Sequence, residues 1–403
     1  MKILILDEEI PYPLNTGKRI RTFNLLKYLA GFHEIIFVCQ KHDGANDNDS
    51  EALVKIGVRP IVVSSSVRPK KGSLFYLALF RNLFSMNPYS VDSHFSSEMV
   101  HMVNKILSEE QIDLIHCEWI PYAINMKENF HYPCVVDAHN VEALIWKRNY
   151  EVERNFFKKF YLLLQWKKME QFEKRYFKKF TKIAAVSKND RALISEWTSI
   201  GKIGVVDNGV DIEYFKKTST NCEEETTIVF TGSMDWRPNI DGIFYFIDKI
   251  WPLVQREYSE TKLYVVGRNP TQALRNYAKN KENIIITGTV DDVRPFIDRA
   301  SVYIVPLRIG GGSRLKILEA LSMEKAVVST SIGAEGLSLE NQKDLLIADT
   351  PNSFAEKIIA LFKDKSLRTK LGKNGKDSVY INYQWAAISE KLNTIWKDTV
   401  RGE

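Results

Sequence analysis

The reading of the fold turns on Val302-Tyr303-Ile304-Val305-Pro306-Leu307, followed by Arg308-Ile309-Gly310-Gly311-Gly312-Ser313 and then Arg314-Leu315-Lys316-Ile317-Leu318-Glu319-Ala320-Leu321. The first run is apolar and β-branched, the pattern of a buried strand. Three consecutive glycines then let the backbone approach a ligand closely. Leu315, Leu318 and Leu321 recur at helical spacing, with Ser313 placed to cap the helix N-terminus. A strand, a glycine loop and a helix N-terminus form a phosphate site, because free N–H groups and the helix dipole both favour anions. Arg314 and Lys316 add positive charge. Glu319 lies on the same side of the helix as Lys316, where it reaches a sugar diol beyond the phosphates. The competing reading is a plain glycine turn before a surface helix with a Lys316–Glu319 pair. The glycine spacing matches neither G-x-G-x-x-G nor the P-loop.

Outward from this stretch, strands alternate with helices. Strands are expected at 2–6, 34–40, 59–64, 113–118, 133–139, 182–187 and 203–207. After a polar break they resume at 226–232, 262–267, 283–288, 301–307, 326–330 and 344–348. This is an α/β pattern of two Rossmann-like, doubly wound parallel sheets. The expected organisation is a domain over 1–211, a linker over 212–225, a domain over 226–384 and a C-terminal helix over 385–403. In the first domain, Glu8–Gly17 forms the loop after the first strand, and Asp137-Ala138-His139-Asn140-Val141-Glu142 carries a strand into a helix. Both lie at carboxyl ends of strands, where such sheets bind ligands. Gly17 also reads as a simple turn glycine opening a helix, and His139 as a structural histidine.

Gly310 to Leu337, with Val205-Val206-Asp207-Asn208-Gly209-Val210-Asp211 and the stretch around Gly17 and Arg21, resembles the retaining GT-B glycosyltransferases of family 4, nearest to a bacterial exopolysaccharide and envelope-glycan branch. The resemblance implies two domains facing a cleft, with the C-terminal helix returning to the first. It implies a nucleotide-sugar donor held by Glu319, Arg314, Lys316, Gly311, Gly312, Ser313, Gly232, Ser233 and Asn208. It puts Gly17, Arg21 and Glu142 on the acceptor side, and gives His139 the catalytic place. No metal or cofactor is expected, since cations and a helix dipole serve the leaving diphosphate. Two departures stand out. Gly311 occupies the place of the first Glu of the family's E-x7-E motif, and Gly232-Ser233-Met234-Asp235-Trp236 lacks the Arg and Lys that relatives carry there. A nucleotide-sugar-binding protein without catalysis and a sugar-nucleotide epimerase of the same fold remain as alternatives.

The 403 residues are 44% hydrophobic and 26% charged, with a net charge of +6, which suits nucleotide phosphates or an anionic surface but is too mild for a nucleic-acid binder. Cys39, Cys117 and Cys134 sit in apolar runs and read as buried thiols, and no signal peptide or membrane span is apparent, so a cytoplasmic protein is expected. Two stretches depart from the alternation. Residues 67–89 mix arginine and lysine with aromatics and leucines, and residues 146–182 carry twelve basic and four acidic side chains among many aromatics. They read either as a surface for an anionic membrane or as aromatics packed on the first sheet with a solvated basic face.

Overall fold

The computed structural model describes residues 1–40, 47–64, 72–218, 223–279, 281, 283–309 and 315–402. Gly311, Gly312, Ser313 and Arg314 therefore lie outside the described residues, as does Cys222.

The chain divides into two compact domains, Met1–Asp207 with Trp385–Glu403, and Asn208–Gln384. The first holds a sheet of β1 (Lys2–Asp7), β2 (Glu34–Gln40), β3 (Val58–Val63), β4 (Leu114–Cys117), β5 (Cys134–Ala138), β6 (Lys182–Ala185) and β7 (Ile203–Val205), in the order β3-β2-β1-β4-β5-β6-β7. The second holds β8 (Thr227–Thr231), β9 (Lys262–Val266), β10 (Ile284–Gly288), β11 (Val302–Val305), β12 (Val327–Ser329) and β13 (Leu346–Ile347), in the order β10-β9-β8-β11-β12-β13. Among the described residues every strand pair is parallel. The strands are near-continuous apolar runs because helices cover both faces; Ile3 to Leu6 and Val302 to Val305 are wholly buried. Cys39, Cys117 and Cys134 are buried and free.

The helices that matter for function are α1 (Gly17–Leu29), α2 (Ser73–Asn82), α3 (Glu142–Val152), α4 (Phe156–Phe177), α5 (Arg237–Tyr245), α6 (Leu315–Ser322) and α7 (Trp385–Arg401). Thr16 caps α1, its hydroxyl accepting from the Arg19 N–H. The long basic stretch is two helices, α3 and α4, and Asn155 caps the second. Its aromatics divide: Phe172, Tyr176, Phe177 and Phe180 are core residues, whereas Phe156, Phe157 and Phe160 are exposed. The reading of aromatics packed in the first domain thus holds for the later part of the stretch and not for its start.

The boundary between the domains falls at Asp207, and the described part of 212–225, read from sequence as a linker, packs into the second domain. The Thr218 N–H donates to Asp298 Oδ2 (2.7 Å), Lys217 pairs with Glu324 (2.6 Å), and Arg368 donates to Glu223 (3.0 Å). Charged and hydroxyl side chains made the segment look detached, but Lys217, Thr218 and Glu223 are each tied to that domain.

Helix α7 completes the first domain. Trp396 is fully buried, donates from Nε1 to His116 Nδ1 (3.1 Å), and lies edge-on to both His116 and His33. Asn393 bonds His33 (2.7 Å), and Ile395 occupies the space that a Cβ on Gly204 would need. Trp396→Ala is expected to cost about 3–5 kcal/mol, as for a buried tryptophan. Denaturant unfolding followed by first-domain fluorescence checks this; a loss of only about 0.5 kcal/mol, as at a surface position, would make α7 peripheral.

Candidate functional site

In a doubly wound sheet, crossovers leave in opposite directions on either side of the point where strand order reverses, opening a crevice at the carboxyl ends. That point lies between β1 and β4 in the first domain and between β8 and β11 in the second. Each is lined by charged groups.

In the first domain, Asp7 ends β1 and Glu118 follows β4. Lys18, near the start of α1, pairs with Asp7 and with Glu8 (2.9 Å), and His94 Nε2 lies 3.1 Å from the other Glu8 oxygen. Burial pushes the Asp7 carboxyl up to about 7, with Lys18 opposing it and Glu118 and Glu8 adding to the rise. Burial disfavours the Lys18 ammonium, but Asp7 and Glu8 outweigh it, so Lys18 holds its proton more firmly than a free lysine. Trp119 borders the same cluster: its ring meets His94 edge-on, and its Nε1 donates to Glu142 (3.0 Å).

Glu118 lies between two imidazoles. His139 Nε2 is 3.2 Å from its Oε2, which also accepts from the Thr22 hydroxyl (3.0 Å), and His116 Nε2 is 3.4 Å from its Oε1. The Trp396 indole can only donate, so His116 Nδ1 is the acceptor and its Nε2 carries the proton facing Glu118. Burial works against a charged His139, yet Asp137 and Glu118 outweigh it and raise its pKa. Burial pushes the Glu142 carboxyl up, partly offset by the Trp119 N–H. The Glu173 carboxylate accepts from the N–H groups of Glu142 and Ala143 (2.8 and 2.9 Å), capping α3 from α4.

Arg21 does not face an acceptor, contrary to the expectation from sequence. It is 1% exposed, grips both oxygens of Asp137 (2.9 and 3.2 Å) and donates to the Val206 and Asp207 carbonyls (2.9 and 2.8 Å). A buried guanidinium needs that many acceptors, so its role is to pin α1 to the sheet. Gly17 opens α1 on the surface. Among the described residues one group has metal-like spacing: His116, Glu118 and Asp137, with donor atoms within 4.8 Å of one another. Arg21 on Asp137, and Thr22 with His139 on Glu118, already compensate those carboxylates.

In the second domain, α6 begins beside the end of β8. Lys316 Nζ donates to the Thr231 carbonyl (2.7 Å) and to Asn239 Oδ1 (2.9 Å), and lies 4.4 Å from the centre of the Phe230 ring. Gly232 is what admits it. A Cβ there would stand 2.6 Å from Lys316 Nζ and 2.8 Å from Asn239 Nδ2, and Gly232 has φ +153°. Asn239 Nδ2 donates to the Ser233 carbonyl (2.9 Å), and Ser233 is bonded to Asp235. Arg268, at the end of β9, donates from Nε to Ser233 Oγ (2.8 Å). Glu319, one turn beyond Lys316, is pushed up to about 7 by burial, against the pull of Lys316. Its charge in turn adds to the burial that raises the Tyr303 phenol. Asn208 is buried where the chain enters this domain, before β8 rather than among these groups.

The two clusters gather Lys316, Glu319, Gly232 and Ser233 at one switch point, and His139 with Glu142 at the other. Sequence reading missed Arg268, Asn239, Lys18, Glu118 and Trp119. Their signal was position: each follows a strand end or opens the next helix.

Residues 17–214 match the family described as Glycosyltransferase Family 4, and residues 225–364 the one described as Glycosyl transferases group 1. The chain belongs to the family 4 glycosyltransferases of GT-B fold. This glycosyltransferase is 23% identical over 395 residues to a Klebsiella pneumoniae protein described as an uncharacterized 44.6 kDa protein in the cps region, covering 95% of this chain and 96% of that one. Its fold matches sucrose-phosphate synthase from Thermosynechococcus elongatus over 100% of both chains, with a TM-score of 0.73 at 15% identity. It also matches Anabaena HepE in complex with UDP and glucose over 98% of both chains, with a TM-score of 0.66 at 14% identity.

The raised Glu319 carboxyl has a consequence for stability. Its ordinary value is 4.5, and folding lifts it to about 7. Across that window the folded protein binds a proton that the unfolded chain has lost, so this group's contribution falls as pH rises from the unfolded to the folded value. Glu319→Gln cannot ionise and removes the penalty. The variant is expected to melt higher than wild type at pH 8 and to match it at pH 4, by calorimetry at both values. A variant less stable than wild type at pH 8 would contradict this environment for Glu319.

Proposed function

We propose that this glycosyltransferase moves a sugar from a nucleotide-sugar donor, UDP-linked, to a hydroxyl of a glycan or lipid-linked acceptor in capsular or exopolysaccharide synthesis. It does so with retention, without metal or cofactor, on the cytoplasmic side of an anionic membrane. The observation that carries the donor reading is the Lys316 ammonium held under Gly232 at the β8–β11 switch point, with Glu319 one turn further along the same helix. The UDP and glucose held in complex by the Anabaena protein, and the cps region named for the Klebsiella relative, support the donor and the pathway class.

In this reading Lys316 and Arg268 face the diphosphate, and Glu319 accepts from the ribose hydroxyls. Arg268 supplies from the neighbouring strand end a cation that Gly232-Ser233-Met234-Asp235-Trp236 lacks. The leaving group is stabilised by charges already in position, which costs no reorganisation during reaction. The acceptor hydroxyl attacks the anomeric carbon on the face that the diphosphate leaves. The carbon–oxygen bond to phosphate breaks, the hydroxyl proton passes to the departing phosphate oxygen, and the products are the glycoside and UDP. His139, fixed by Glu118, holds sugar hydroxyls in register with the reacting carbon.

Calorimetric titration with UDP and uridine tests the donor site. Glu319→Gln is expected to weaken both ligands alike, by roughly 1.5–3 kcal/mol, the range for hydrogen bonds to a charged group. Lys316→Ala is expected to weaken UDP strongly and uridine hardly at all, and less so at high salt. Equal losses for both variants on both ligands would refute this division of roles.

His139→Ala is expected to lower turnover of a UDP-sugar by about a hundredfold or more while leaving UDP affinity within about threefold of wild type. Steady-state kinetics beside the same titrations check it. Unchanged turnover would assign His139 to structure, and donor binding without turnover in wild type on any acceptor would favour a binding protein.

A further inference from the structure

Helix α2 is built inside out. Phe75, Ala78, Leu79 and Asn82 turn inward, whereas Leu74, Tyr76, Leu77 and Phe80 are exposed, and the chain continues with exposed Leu83, Phe84 and Met86. Phe84 is 81% exposed. The start of α4 repeats the pattern with Phe156, Phe157 and Phe160, of which Phe157 is also 81% exposed. Soluble proteins seldom leave so many large apolar side chains together in water.

The two patches belong to one rigid framework. Gln165 of α4 donates to Asn82 Oδ1 (3.0 Å) and accepts from the Tyr89 N–H (2.8 Å). The buried Lys168 ammonium donates to the carbonyls of Asn82 and Leu83 (2.6 and 3.2 Å), capping the C-terminus of α2. Phe156 to Phe160 lie about 8–14 Å along α4 from Gln165, at 1.5 Å per residue. The exposed charges on these stretches, Arg81, Arg154, Lys158 and Lys167, are all positive, and no Asp or Glu occurs from Gly72 to Val91 or from Arg154 to Met169.

We propose that α2, the turn after it and the first turns of α4 form a membrane-docking face that seats its aromatics at the headgroup–acyl boundary of an anionic bilayer. Apolar side chains rimmed by lysine and arginine, with no carboxylate, match that boundary in both polarity and sign. A second copy of the chain is the poorer occupant, since pairing this face with itself would oppose like charges. The face gives the membrane part of the proposed function its residues, and it rests on none of the donor-site geometry.

The test is co-sedimentation with vesicles of equal parts phosphatidylglycerol and phosphatidylcholine, and with phosphatidylcholine alone, using wild type and the F80S/F84S/F157S variant. Wild type is expected to bind the anionic vesicles, more weakly as salt rises, and to bind the neutral ones far less. The variant is expected to lose about tenfold or more in affinity, since three aromatic insertions and no charge are removed, with an unchanged melting temperature and unchanged turnover on a water-soluble acceptor. Vesicle binding that follows the face while no UDP-sugar is turned over would uphold the docking and sink the transferase reading. Wild type that ignores anionic vesicles, or a variant that binds them equally well, would overturn the docking. A wild-type dimer in light scattering that the variant converts to monomer would do the same.

Discussion

Parallel strands cannot be joined by a tight hairpin; each pair needs a crossover over the face of the sheet. That constraint shapes both domains. The crossovers bury both faces, so the strands are near-continuous apolar runs and most polar chemistry is pushed toward their ends. Where the crossovers change direction, between β1 and β4 and between β8 and β11, the carboxyl ends lie open. Asp7, Glu118 and His139 stand at one opening, and Gly232, Lys316 and Glu319 at the other. They share those places because the sheet leaves few others for a charged side chain.

Charge at these openings is arranged in two ways. Buried groups with many partners hold the framework: Arg21 with Asp137 and two carbonyls, and, on the start of α3, the Glu173 carboxyl, which burial also pushes well up. Other groups are held in environments that cost stability, as with the raised carboxyls of Asp7 and Glu319. A carboxyl kept near 7 by burial is poor design for stability and suitable for binding, because a ligand's hydroxyls can supply the hydrogen bonds that the protein does not. Lys316 lies between the two cases. It is anchored by Thr231 and Asn239, yet it stands at the strand end where an anion would meet it.

The exposed aromatic face belongs to the same framework by a different route. Lys168 and Gln165, polar residues in the buried side of α4, tie α2 down by its last turn. The helix is therefore held by hydrogen bonds at its end and by one inward row of side chains, which leaves its apolar outer row free for a partner. No helix among the described residues is long and apolar enough to cross a membrane.

All thirteen strands of the described residues were legible in the sequence, within two residues at most ends, because a buried parallel strand is a near-continuous apolar run. The family was legible too, since Lys316, Glu319 and Gly232 lie in short contiguous motifs. Contacts between residues far apart in the chain were not legible. The resemblance put Arg21 on the acceptor side, whereas the fold brings Asp137, over a hundred residues away, against it. Arg268 carried no motif, and only strand order sets it beside Ser233. The aromatics of α4 could not be sorted into core and surface by composition, because Phe172 and Phe157 share one helix and differ in which part of it the rest of the domain covers. Local pattern set the elements; the tertiary structure alone decided which charges met, since pairing depends on strand order and helix rotation, and these are fixed only when the whole sheet is buried.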